Sequence, residues 1–371
     1  MATRLIQRLD GDIAAAEGVL ERETLKARRA AVLARHGSFS EARFALAGLR
    51  SQSTRLRLPV LAAWVALVDG LIEHCESLAA TAREKFARAH ALAGAAGDEA
   101  LLAECAAWLA LSDFNANALE DAVRHVAEAL RVAPAGAHAA RARAAQVVAD
   151  AWRYAGEDEE AAPWYQLVRH HATAEGDVSL VSTLLYNKAA FLVSRAAFED
   201  ALGRGNEAEA QRVLLETEST RNYDAGVGNA QIAAAVPLMR AQVLTALGRH
   251  AEAVAVFDAQ MPHARSEGQA HREARFLADA AWGEVQLGRL DEAARRLRLI
   301  QAVLPLMDEP DDLAATHARL SGVMRALGRD DAADHHEALS RAAERQHLAE
   351  QQRLREVLQR GLAGVSPDLP A

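Results

Sequence analysis

Three glycines, Gly248, Gly288 and Gly328, lie 40 residues apart in the contexts LTALGRHAEAVAVF, VQLGRLDEAARRL and MRALGRDDAADHHE. A catalytic loop is needed once, whereas a structural unit is needed many times, so a fixed interval of this length constrains architecture before chemistry. The same turn chemistry appears at Gly37 and Gly156, and weaker turns fall near Glu76, Asn115 to Asn117 and Gly203 to Gly205. Together they mark about eight helix-turn-helix units at a mean spacing of roughly 42 residues, the span of two helices and their connections.

Glycine after an apolar helix supplies the backbone conformation that ends it. The acidic residue that follows, as in Asp291 and Glu292 after Gly288, then sits where the exposed amides of the next helix favour negative charge. Alanine recurs five residues after each clear glycine, at Ala42, Ala161, Ala253, Ala293 and Ala333. A small residue also recurs seven before it, at Ala30, Ala149, Ala241, Ala281 and Ser321. Paired small positions let two antiparallel helices approach closely, so a recurring offset predicts a recurring crossing.

Composition agrees with helices. Of 371 residues, 51% are hydrophobic but only 5% aromatic, a balance that suits close-packed helices better than sheets. The formal net charge of -9, with both signs interspersed, argues against a general nucleic-acid surface. Cys75 and Cys105 have no metal or redox spacing and read as small core residues. The start, MATRLIQRLDGDIAAAEG, lacks a signal-peptide core, and no apolar run approaches the roughly 20 residues of a spanning helix. The expected location is the cytoplasm, with no membrane partner.

The offsets resemble those of the tetratricopeptide repeat (TPR) family, in its longer-period bacterial regulatory form. Tyr165 and Phe257 match the family's aromatic four residues after the alanine, Leu46 and Leu297 replace it, and Glu337 departs from it. The resemblance implies an all-α, right-handed superhelix of about eight repeats whose inner wall is built by the first helix of each unit. The stretch from Val178 to Asn229 breaks the rhythm, the interval from Gly156 to Gly205 being longer than the others, which places a division of the array near residue 225: an N-terminal part over 1–225, regular repeats over 226–340, and a C-terminal helix and tail over 341–371. The tail carries a sparse apolar stripe of Leu339, Ala343, Leu354, Val357 and Leu358. Three alternatives stay open for its second half: a solvated helix, a partner or homodimer helix, and a membrane-surface helix.

No phosphate loop, zinc-helix spacing or nucleophile elbow occurs, so no catalytic residue, metal or cofactor is expected. The histidine groups His170 and His171, His335 and His336, and His263 with His271 read as surface residues, and Trp108 and Trp152 as core. Polar residues on first helices are candidate groove positions: Tyr186, Asn187 and Lys188, then Asn229 and Arg240, then His271, Arg272, Arg275 and Asp279. Arg272, Arg275 and Asp279 fall three and four apart, near one helix face. The expected function is a non-catalytic scaffold for a protein or acidic peptide in bacterial regulation or signalling. Two alternatives stand beside it: the sensory part of a signalling protein whose output domain is separate, and a hydrolase-like enzyme with carboxylates in the groove.

Overall fold

The computed structural model describes residues 3–77, 79–227, 235–266 and 269–367. Among these, α1 (Arg4–Ala15) precedes eight helix pairs, with no strand. The pairs are α2 (Val19–Arg35) with α3 (Phe39–Leu56), α4 (Pro59–Ser77) with α5 (Ala82–Ala96), α6 (Glu99–Asn115) with α7 (Leu119–Val132), and α8 (His138–Tyr154) with α9 (Asp158–Glu175). Then follow α10 (Val178–Ala201) with α11 (Glu207–Val227), α12 (Ala235–Ala246) with α13 (His250–Ser266), α14 (Glu273–Gln286) with α15 (Leu290–Val303), and α16 (Pro310–Ala326) with α17 (Asp330–Gly361).

The Leu-Gly-Arg repeat has a common backbone cause. At Gly248 (φ 69°) the glycine amide donates to the Thr245 carbonyl at 3.0 Å and the Arg249 amide to the Leu244 carbonyl at 2.9 Å. The same two bonds close the turns at Gly37, Gly156, Gly203, Gly288 and Gly328. Each satisfies carbonyls that the end of a helix leaves open, and each needs a left-handed residue. Between α6 and α7 that residue is Asn117, at φ 54°, with identical bonding from Asn117 and Ala118. The turn of the fifth pair is two residues longer. Asn206 accepts from the Glu209 amide at 3.1 Å and starts α11, so the buried alanine is Ala210, five residues after Gly205 rather than Gly203.

All ten of the recurring small residues are buried. Within two of the three pairs whose turns were faint, Ala110 and Ala122 flank Asn117 at the same offsets, and Ala82 with Phe86 repeats the alanine-aromatic spacing; all four are buried. Trp64, Trp108, Trp152 and Trp164 are core residues too.

The chain forms two compact units. Unit 1 comprises residues 1–184 and 352–371, and unit 2 residues 185–351. This differs from the division expected near residue 225, because partners change part-way along α10: Leu180 packs with Ala142 and Ala172, while Ala189, Val193 and Ala196 pack with Ala210, Val213 and Met239. In unit 1, α2 packs on α4 and α6 on α8, while α3, α5 and α7 each pack on the following first helix. In unit 2, α12, α14 and α16 pack in succession.

The end of α17 belongs to unit 1. Leu354, Val357, Leu358 and Leu362 are buried against a core that includes Val123, Val148, Trp152 and Leu167. The apolar face considered for solvent, a second copy or a membrane surface is therefore covered within the chain from Leu354 onward. Leu339 and Leu348, earlier in the helix, remain exposed. No helix among the described residues is long and apolar enough to cross a membrane.

Candidate functional site

The candidate groove residues lie in unit 2, where a helix of the same unit covers the most polar of them. The Arg275 side chain is 1% exposed and pairs with Asp279 at 3.4 Å and Asp312 at 3.9 Å. It also donates to the Ala197 carbonyl of α10 at 2.9 Å. Asp279 accepts from Arg319 at 3.0 Å, and Arg319 reaches on to Asp200 of α10. Arg272 meets Asp312 at 3.0 Å. Burial opposes the charge of Asp312, but Arg272 and Arg275 outweigh it and hold the carboxyl below its ordinary range. Phe198 and Arg204 extend the α10 contact to His347 and Glu344 of α17. Arg272, Arg275 and Asp279 do share a face, where they form ion pairs with one another and with Asp312 and Arg319.

The remaining candidates are dispersed. Tyr186, Asn187 and Lys188 are half-buried on α10, and Lys188 pairs with Glu216 at 3.1 Å. Arg240 faces Glu218 at 3.8 Å and borders a cavity of about 300 Å³ with Val236, Pro237, Val256 and Gln260. His271 is exposed on a short 3-10 turn, and Asn229 lies outside the described residues.

First helices of unit 1 are also committed inward. Arg35 meets Asp177 at 2.7 Å, and the Leu180 amide donates to Asp177 at 3.1 Å at the start of α10. Burial disfavours the Asp177 carboxylate, yet Arg35 and His36 more than offset it and lower its pKa. Arg143 lies 4.3 Å above the Trp108 ring and donates to Gln146 at 2.7 Å; Gln146 reaches Asp150, which accepts from Tyr165 at 2.7 Å. Burial, with Arg35 nearby, brings the Arg143 guanidinium down to about 10, still charged at neutral pH.

Of the histidines expected at the surface, His170, His263, His271 and His335 are exposed, whereas His171 and His336 turn inward. His171 is buried, its Nδ1 2.9 Å from Nδ1 of His138, and His336 meets His317 in the same way at 3.0 Å. Burial lowers His171 and His317 to about 4. No group of three or more His, Cys, Asp or Glu among the described residues is placed to hold a metal ion.

An open cleft of about 1150 Å³ lies instead on unit 1, where the end of α17 crosses α7. The crossing is close: a Cβ on Gly361 would run into Val123 Cγ1. On α7, Leu119, Val123 and Val126 turn into the core, which leaves Glu120, Arg124, Ala127 and Arg131 along the opposite side at spacings of three and four. Val123, Leu130, Leu167, Val357 and Val365 make an apolar floor. Arg124, Arg131, Arg141 and Arg360 supply the cations and Glu120 and Glu128 the carboxylates.

Both carboxylates are engaged. Glu120 lies 3.3 Å from Arg353, and its own helix-start amide followed by Arg353 lowers its pKa; Glu128 meets His90 at 3.1 Å. Arg124 is held by Asp121 at 2.6 Å, and Arg141 donates to the Ala133 and Pro134 carbonyls just beyond α7. Arg131 and Arg360 are exposed and make no ion pair among the described residues; Arg360 donates to the Glu356 carbonyl at 3.1 Å. Of the cleft's groups only Val357 stood out in the sequence, as part of the tail's apolar stripe, since α7 and the end of α17 are separated by more than 200 residues. The only signal was the alternation of Glu120, Arg124 and Arg131 on an amphipathic helix, which reads equally well as a solvated face.

No family model matches the chain, and no curated protein matches it.

Proposed function

We propose that the chain is a non-catalytic TPR-like scaffold, its helix pairs stacking with a right-handed twist, that binds a protein segment or peptide in a regulatory or signalling role. The observation that carries the binding role is the cleft of about 1150 Å³ beside α7, which joins an apolar floor to a charged rim. Large concave sites with apolar lining and a few placed polar groups are the usual setting for ligand recognition. Its carboxylates already have partners, Glu120 in Arg353 and Glu128 in His90, which suits a fixed binding rim better than proton transfer. The recurring small positions and turn bonds support the repeat reading.

The test is selection of binders to the full chain from a displayed random-peptide library, followed by binding of the selected peptides to Ala127→Trp, which fills the cleft from the solvent side of α7. Loss of binding with an unchanged melting temperature supports the reading. Undiminished binding to Ala127→Trp, or no selected peptide, overturns it.

A further inference from the structure

The rim is more specific than a generic binding surface requires. In a chain of formal net charge -9, four guanidinium groups converge on one cleft, and the carboxylates beside them are held by Arg353 and His90. Arg131 stands on α7 and Arg360 on α17, so two exposed cations that make no ion pair among the described residues come from different helices that both border the cleft. Between them lie Val123, Leu130 and Val357.

Resting on the binding role proposed above, we infer that the partner is an acidic amphipathic segment, whose apolar side chains meet the floor while its carboxylates meet Arg131 and Arg360. Guanidinium groups favour carboxylates because their donors form a planar fork that matches two oxygens, and such charge-assisted bonds are stronger than neutral ones. A basic segment meets like charge at Arg131 and Arg360 here, which gives discrimination as well as affinity. The location matters: the rim is built on a second helix, α7, and on the chain's late helix, whereas the first helices of this unit direct Arg35 and Arg143 into internal contacts.

The experiment uses fluorescence anisotropy with the full chain and three labelled peptides that share one leucine face and carry Glu, Gln or Lys on the other. The Glu peptide is expected to bind about tenfold more tightly than the Gln peptide, and the Lys peptide more weakly than either. Added salt should narrow the Glu–Gln gap, because exposed charges are screened. Arg131→Glu with Arg360→Glu should reverse the order of the Glu and Lys peptides, and since both side chains are exposed the double variant should keep the wild-type melting temperature. Equal binding of Glu and Gln peptides, abolished by Ala127→Trp, overturns the acidic inference and leaves the cleft as a binding site. Binding of these peptides that is unaffected by Ala127→Trp overturns both.

Discussion

The Arg275 guanidinium on α14 donates to the backbone carbonyl of Ala197 on α10 at 2.9 Å, with Asp279 and Asp312 on its other sides. Removing this buried cation takes one partner from each carboxylate and leaves Asp279 with Arg319 and Asp312 with Arg272. Arg275→Ala should therefore destabilise unit 2 by about 1.5–3 kcal/mol, the usual range for losing hydrogen bonds to a charged group. Urea unfolding followed by circular dichroism measures this; a loss below about 1 kcal/mol would show the network to be dispensable.

Acid should weaken the fold before the carboxylates titrate. His317 and His336 share a bond between two Nδ1 atoms at 3.0 Å, which needs one ring to accept. Burial and then His336 lower His317 from 6.5 to about 4. Between those values the unfolded chain binds a proton that the folded chain refuses, so this contribution is intact above pH 6.5, declines as pH falls, and levels off near 4. After discounting for partial solvent screening, its size is at most about 2 kcal/mol. The urea midpoint of His317→Gln should vary less between pH 6.5 and 4 than that of the wild type, with residual slope from His74 and His171, which burial also lowers to about 4.

Asn117 holds a left-handed backbone at φ 54° where the other turns of its kind use glycine. Asn117→Gly should be neutral or slightly stabilising, whereas Asn117→Val should cost about 1–2 kcal/mol, since a β-branched residue has no easy left-handed conformation. Paired thermal melts distinguish these; equal effects of Gly and Val would remove the backbone explanation.

The end of α17 is part of a core. Leu358 is 1% exposed among Val123, Val148 and Leu354, so Leu358→Ala should cost about 2–5 kcal/mol. Gly361→Leu should also destabilise, by forcing α17 away from Val123. Proteolysis of residues 352–367 in these variants, compared with the wild type, reports whether the segment detaches. Unchanged protection would contradict the packing described.

Repetition made the turns legible in the sequence: each needs one left-handed residue and a pair of carbonyls, and local chemistry alone supplies both. Asn117 and the longer turn at Gly203 to Gly205 were faint because a different residue, or an extra pair of residues, satisfies the same need. The shared face of Arg272, Arg275 and Asp279 was readable from their spacing, but its neighbour was not, since nothing in the α10 sequence specifies which distant helix it meets. The stripe of Leu354, Val357 and Leu358 was visible in the same way, while Val123 and Leu167 as its partners were not. Periodicity reveals which side of a helix is apolar. It does not reveal what that side will touch, and the cleft depends on such an encounter between α7 and the end of α17.

Unit 1 consists of residues 1–184 together with residues 352–371, so its core cannot be completed from the N-terminal stretch alone. During synthesis the first four helix pairs must wait, with Val123, Trp152 and Leu167 lacking their cover, until Leu354 to Leu362 leave the ribosome. At roughly 5–20 residues per second the delay is on the order of ten seconds or more, long compared with the formation of individual helices. Val123, Trp152 and Leu167 are thus exposed in the growing chain and gain their cover from the end of α17 only when synthesis nears its end.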